Sequence, residues 1–137
     1  MRCSVLILTL NEEVNLPDCL ESVAWCDDVV VLDSFSSDRT EQIARDFGAR
    51  FVQRRFDDWS SHQNWAVSNI EFQHRWVYYS DADERLPEGL VQELNEVTSD
   101  VDRPEVAYRL RFKNMFMGRW LRHSCLYPTW VLRLFRP

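Results

Sequence analysis

Ser4-Val5-Leu6-Ile7-Leu8-Thr9 is the stretch that decides the fold. It is apolar at odd and even positions alike, so a strand made of it has no face to offer water. Such a run predicts a strand covered on both sides, as in a parallel sheet. Asp28-Val29-Val30-Val31-Leu32-Asp33 and Trp76-Val77-Tyr78-Tyr79-Ser80 repeat the pattern. Residues 50–53 give a shorter strand, and residues 106–112 and 130–135 two more. Helical spacing fills the gaps. One helix starts near Asn15 with Pro17 in its first turn and buries Leu16, Leu20 and Val23. A second covers residues 40–47 and closes on Gly48. A third runs from about 60 to 69. A fourth opens at Pro87 with Leu90, Val91 and Leu94 on one face. The aromatic residues 115–121 receive no assignment. Alternating strands and helices predict an α/β fold, a mostly parallel sheet with helices on both faces. At 137 residues the chain suits a single domain, 1–137.

Polar residues gather just after the strands. Thr9, Leu10, Asn11 and Glu12 follow the first, Asp33 ends the second, and Asp81-Ala82-Asp83-Glu84 follows the fourth. Ligand crevices of open α/β sheets lie beyond the carboxyl ends of the strands, so these groups are expected to share one cleft. Asp81 and Asp83, two apart where a strand turns, can both reach one divalent ion. Hard cations such as Mg²⁺ and Mn²⁺ take oxygen ligands, and Mg²⁺ is usually shared between one or two carboxylates and substrate phosphates. Each part also has a plainer reading. Asp83 or Glu84 can cap the next helix, Asp33 can shape a turn, and Asn11 with its neighbours can cap a helix.

Together the segments are more specific. Thr9-Leu10-Asn11-Glu12, Asp33-Ser34-Phe35-Ser36-Ser37-Asp38-Arg39-Thr40, Gln63-Asn64-Trp65-Ala66 and Tyr79-Ser80-Asp81-Ala82-Asp83-Glu84 resemble family 2 glycosyltransferases of the GT-A, Rossmann-like fold. Gly118-Arg119-Trp120-Leu121-Arg122-His123, Tyr127-Pro128 and Leu132-Arg133-Leu134-Phe135 are similar to the branch with bacterial lipopolysaccharide-core β-1,4-glucosyltransferases.

The resemblance implies inverting, metal-dependent hexose transfer from a nucleotide-sugar, a UDP-sugar by preference, to a saccharide or glycolipid acceptor. Thr9, Leu10, Glu12, Asp33, Gln63, Asn64, Asp81, Ala82 and Asp83 would bind the donor, with Asp33 on the base. Asp81 and Asp83 would hold Mg²⁺ or Mn²⁺. Arg119, Trp120, Tyr127 and Arg133 are acceptor candidates. The family's general base follows the strand that Leu132–Phe135 matches. The only acid after Asp102 here is Glu105, misplaced for that role. The general base is therefore expected beyond Pro137, and no residue of the chain is assigned to it. The chain also stops directly after an apolar strand. A C-terminally truncated domain that binds donor without completing transfer is a second expectation.

Bulk properties narrow the field. The net charge of −6 divides unevenly: residues 1–102 hold 21 acidic and 8 basic side chains, residues 103–137 hold 1 and 8. The basic end suits a phosphate group or an anionic membrane surface, or pairs with acids of the same domain. The apolar start without charged leader or cleavage site, and the absence of metal-type spacing among Cys3, Cys19, Cys26 and Cys125, predict a cytoplasmic protein with reduced thiols. Peripheral contact with the cytosolic face of the inner membrane fits the same picture. An acidic chain with no recognition motif argues against nucleic acid. A sugar nucleotidyltransferase would carry a glycine-rich loop after the first strand. A haloacid-dehalogenase-type phosphatase would carry its Asp-x-Asp there. Neither is present.

Overall fold

A computed structural model of the chain describes residues 2–123 and 127–137. The elements alternate as β1 (Cys3–Thr9), α1 (Leu16–Ser22), β2 (Val29–Asp33), α2 (Thr40–Phe47), β3 (Arg50–Gln53), α3 (Trp59–Asn69), β4 (Trp76–Asp81) and α4 (Glu88–Ser99). Four short strands follow: β5 (Ala107–Arg111), β6 (Met115–Phe116), β7 (Arg119–Trp120) and β8 (Trp130–Phe135). Six strands form one sheet in the order β3-β2-β1-β4-β8-β5. The first four are mutually parallel. β8 lies antiparallel against β4, and β5 antiparallel against β8 at the edge.

The central strands are buried along their whole length, as their unbroken apolar runs require. Alternate side chains go to opposite faces. Val5, Ile7, Val31 and Tyr78 pack with Leu16 and Leu20 of α1, Ala44 of α2 and Leu94 of α4. Leu6, Leu8, Val30, Leu32 and Tyr79 pack with Ala66 of α3 and with Ile70. Among the described residues, helices thus cover both faces, three on one and one on the other.

Local chemistry sets the helix boundaries. Asp58 caps α3 by accepting from the Ser61 N–H at 2.9 Å. Gly48 ends α2 at φ 90°, in the left-handed region. The unassigned aromatic stretch is a small hairpin, β6-β7. Its turn residues Met117 (φ 49°) and Gly118 (φ 74°) are both left-handed, as tight hairpin turns require. β8 ends at Phe135, and the described chain closes on Arg136 and Pro137.

Asp28 belongs to no strand. It is buried just before β2, where it accepts from Ser4, from Arg50 and from the Gln73 N–H. Among the described residues Cys3, Cys19 and Cys26 are free thiols, and Cys125 lies outside them. No helix among the described residues is long and apolar enough to cross a membrane.

Candidate functional site

From β1 the chain moves outward to β2 and β3, then returns to lay β4 on the other side of β1. The connections therefore reverse direction between β1 and β4, and a crevice opens where they diverge. Leu8 of β1 pairs with Asp81 of β4, so the segments after both strands meet at one end of the sheet. They line a cleft of about 360 Å³ with Thr9, Leu10, Glu12, Asp81, Ala82 and Asp83. Ser34, Phe56, Trp59 and His62 complete its wall.

The loop after β1 is stapled to the loop after β2. Asn11 is left-handed at φ 56°. Its N–H donates to Ser36 Oγ at 2.7 Å, and its Oδ1 accepts from the Ser37 N–H at 2.8 Å. The N–H of Glu12 donates to Thr40 Oγ1, and that of Glu13 to Asp38 Oδ2. Asn11 is thus a bridge between loops, not a helix cap. Glu12 stays half-buried at the cleft, with Oε2 accepting from Asn15 Nδ2 at 2.9 Å.

Asp33 is fully buried and is not among the residues that line the cleft. It accepts from Thr9 Oγ1 at 2.9 Å, from the Ser36 N–H at 2.8 Å, from the Ser36 hydroxyl, and from Gln53 Nε2 at 3.3 Å. The donors sit on β1, on β3 and on the loop that Asp33 itself opens. The carboxylate ties β1, β3 and the loop after β2 together beside the cleft.

Asp81 also has both oxygens engaged. Tyr79 Oη donates to Oδ1 at 2.8 Å, and Arg133 Nη2 donates to Oδ2 at 2.7 Å. Arg133 bonds Glu84 as well. Its guanidinium lies 4.4 Å from the Tyr79 ring centroid and 5.0 Å from that of Phe112. This acceptor candidate is therefore a buried counter-ion of the Asp-Ala-Asp segment. β8 brings it there by pairing with β4. Burial pushes the Glu84 carboxyl above the ordinary range; Arg133 opposes the shift and the charge of Asp81 adds to it. Asp83 is exposed.

The donor set bears on a metal. Among the described residues no three His, Cys, Asp or Glu side chains converge on one point. Asp81 and Asp83 supply two carboxylates at the cleft. That set fits an ion shared with a diphosphate, not an ion caged by protein alone.

The other candidates divide. Gln63 and Asn64 are not among the lining residues; Gln63 is half-buried near the Tyr79 hydroxyl and Asn64 is exposed. The side of α3 that meets the cleft carries Trp59 and His62 instead. Arg119 and Trp120 form β7 and are not among the lining residues; Trp120 packs edge-on against Tyr127 at 5.4 Å. The expectation of a general base beyond Pro137 falls outside the chain; within it, Arg136 and Pro137 follow β8 and bring no acid to the cleft. Sequence reasoning assigned no site role to Ser34, Phe56, Trp59 or His62, which line the cleft. The signal available was an aromatic pair, Phe56 and Trp59, shortly after a strand and exposed in an otherwise polar segment.

The family model for Glycosyl transferase family 2 matches residues 4–135. The lipopolysaccharide core biosynthesis glycosyltransferase LpsC of Rhizobium meliloti (strain 1021) is 30% identical over 104 residues, covering 72% of this chain and 38% of the relative. A TPR repeat-containing protein of Synechococcus elongatus is 35% identical over 104 residues, 74% of this chain and 25% of the relative. The chain thus spans well under half the length of these curated relatives. Among solved structures, S. aureus TarS 1–349 in complex with UDP-GlcNAc superimposes with TM-score 0.63 at 20% identity, over 99% of this chain and 45% of that one. M. tuberculosis glucosyl-3-phosphoglycerate synthase, solved with Mn²⁺, UDP and glucosyl-3-phosphoglycerate, gives 0.56 at 24% identity, over 72% and 40%. At these identities the structural likeness is one of fold.

Proposed function

Because this chain belongs to glycosyl transferase family 2, we propose that it binds a UDP-sugar and takes part in inverting hexose transfer to a saccharide or lipid-linked acceptor. The setting would be cell-envelope polysaccharide or lipopolysaccharide synthesis, at the cytosolic face of the membrane. The lipopolysaccharide-core relative and the UDP-bound neighbours of the same fold support this reading.

The observation that carries it is the convergence of Thr9, Leu10 and Glu12 with Asp81 and Asp83 on one cleft at the point where the sheet's connections reverse. The roles follow from the chemistry of the residues. Leu10 and Thr9 form the floor for the nucleoside. Asp33 acts at one remove, fixing Thr9 and the Ser34–Ser37 loop. Asp81 and Asp83 would hold Mn²⁺ or Mg²⁺ together with the diphosphate. The ion would offset charge on the departing nucleoside diphosphate. Arg133 keeps the Asp81 carboxylate aimed. In the transfer, the acceptor hydroxyl would bond to the anomeric carbon from the face opposite the diphosphate and give its proton to a general base, while the anomeric C–O bond to the diphosphate breaks.

A second reading, donor binding without transfer, is favoured by the state of the acids. Glu84 is tied to Arg133, Asp33 is enclosed, and Glu105 lies exposed before β5, outside the cleft lining. None of these is placed as a free general base. With Glu84 and Asp33 engaged and Glu105 apart from the cleft, transfer would take its base from another residue.

Calorimetric titration of UDP in the presence of Mn²⁺ tests donor binding. Asp81→Asn and Asp83→Asn should each weaken UDP at least about tenfold, the loss of one charge-assisted contact. UDP affinity indifferent to both substitutions would rule the reading out. Sugar transfer by the protein, or binding without it, then separates the two alternatives.

A further inference from the structure

His62 lines the cleft from the first turns of α3 but is only 1% exposed. Its two ring nitrogens stand in different situations. Nδ1 lies 2.8 Å from Arg54 Nη1. A guanidinium only donates, so Nδ1 is the acceptor and the neutral ring carries its proton on Nε2. Arg54 is held in turn by both carboxylate oxygens of Asp57, each at 2.7 Å. The tautomer is thus fixed by a relay of side chains. Burial, then the charge of Arg54, keeps the ring below its ordinary pKa, with Asp57 opposing.

Nε2 is buried and has no hydrogen-bond partner. A buried N–H without an acceptor is unfavourable and uncommon, and calls for an explanation. The surroundings offer one. The Phe56 ring lies 5.4 Å from His62 and 5.2 Å from Trp59. Both aromatics line the cleft, with 40% and 62% of their surface exposed. Flat apolar walls beside a buried, unpartnered N–H suit a flat ring that bears a carbonyl oxygen. The carboxylates of Asp81 and Asp83 follow β4, whereas the aromatic residues stand between β3 and the first turns of α3.

We propose that His62 Nε2–H donates to a ring carbonyl of the donor's base, as uracil offers, and so favours such bases in the cleft. The proposal rests on the reading of the cleft as a nucleotide-sugar site. Adenine presents no ring carbonyl, and its only acceptors are ring nitrogens, so ADP tests whether a carbonyl is what the donor reads.

The test is calorimetric titration with UDP, ADP and inorganic pyrophosphate, Mn²⁺ present, on the wild type, His62→Phe and His62→Gln. The wild type should prefer UDP to ADP. His62→Phe should weaken UDP about tenfold, the worth of one hydrogen bond in a closed site. ADP and pyrophosphate should bind it as they bind the wild type. His62→Gln places an amide N–H near the position of Nε2 and should recover most of the UDP affinity. Nitrogen-15 NMR of the wild type should show His62 protonated on Nε2, with a resonance that moves when UDP is added. UDP binding unchanged in a folded His62→Phe overturns the proposal. So does an equal loss for all three ligands, which would mean a general disturbance of the cleft. If His62→Phe does not fold, an Nε2 resonance indifferent to UDP overturns it on the wild type alone. A wild type that binds neither UDP nor pyrophosphate refutes the nucleotide-sugar reading itself.

Discussion

Asp33 and His62 exchange the roles that residue type suggests. A carboxylate at a strand end reads as a ligand group, and a lone histidine with no ligand spacing reads as filler. The structure encloses the carboxylate behind four donors and leaves the histidine with a free one. Local sequence cannot tell these cases apart. Which way Asp33 turns depends on Thr9 in β1 and Gln53 in β3, and the state of His62 depends on Arg54. Asp81, Asp83, Thr9 and Glu12 are legible because strand ends alone place them. The environment of His62 has a measurable consequence. Its ordinary pKa of 6.5 is lowered in the fold, so between the folded and unfolded values the unfolded chain binds the extra proton. Stability from this group is complete above the unfolded pKa and declines as pH falls through the folded one. Urea denaturation of the wild type and His62→Gln, from about pH 5 to 8 where histidine titrates, should show the wild type losing stability toward acid more steeply. Parallel profiles would show that His62 keeps an ordinary pKa.

Elements are legible in proportion to how local their signals are. β1, β2 and β4 announce themselves by unbroken apolar runs, and α2 by the glycine that ends it. Long-range and unusual features are not readable. The antiparallel seat of β8 beside β4 pairs residues far apart in sequence, and only that pairing delivers Arg133 to Asp81. The hairpin β6-β7 turns on Met117-Gly118, and methionine at a left-handed position is no turn signal. Gly48 gives the clearest element-scale prediction. Its φ of 90° suits glycine, and a Cβ there meets nothing within 4 Å. Any effect of Gly48→Ala is therefore backbone strain alone. The substitution should destabilise by about 1 kcal/mol, read as a lower urea midpoint at unchanged slope. An unaltered midpoint would mean that α2 ends without help from the left-handed residue.

Across the whole molecule the charge is polarised, and the structure shows how much of the basic end is neutralised internally. Arg103 pairs with Asp100, and Arg133 with Asp81 and Glu84. Among the described residues, Arg109, Arg111, Lys113, Arg119 and Arg122 ion-pair with no carboxylate. Three of them rest against tryptophan rings, Arg111 on Trp130 and both Lys113 and Arg122 on Trp120. The same region raises the hairpin, whose Met115, Phe116 and Met117 are 55%, 63% and 87% exposed. Cations around an apolar tip are the composition of a surface that meets an anionic interface, where each basic residue contributes about 1 kcal/mol at low salt. The membrane-face setting proposed for the reaction can be tested on this surface. Sedimentation with vesicles should show binding to phosphatidylglycerol-rich membranes and little to pure phosphatidylcholine. Binding should weaken as ionic strength shortens the screening length to about 3 Å at 1 M salt. Phe116→Asp with Met117→Asp should reduce it several-fold and leave UDP affinity unchanged, because the hairpin lies outside the cleft. Equal binding to both vesicle types, or none to either, would return these cations to the role of solvated surface charges.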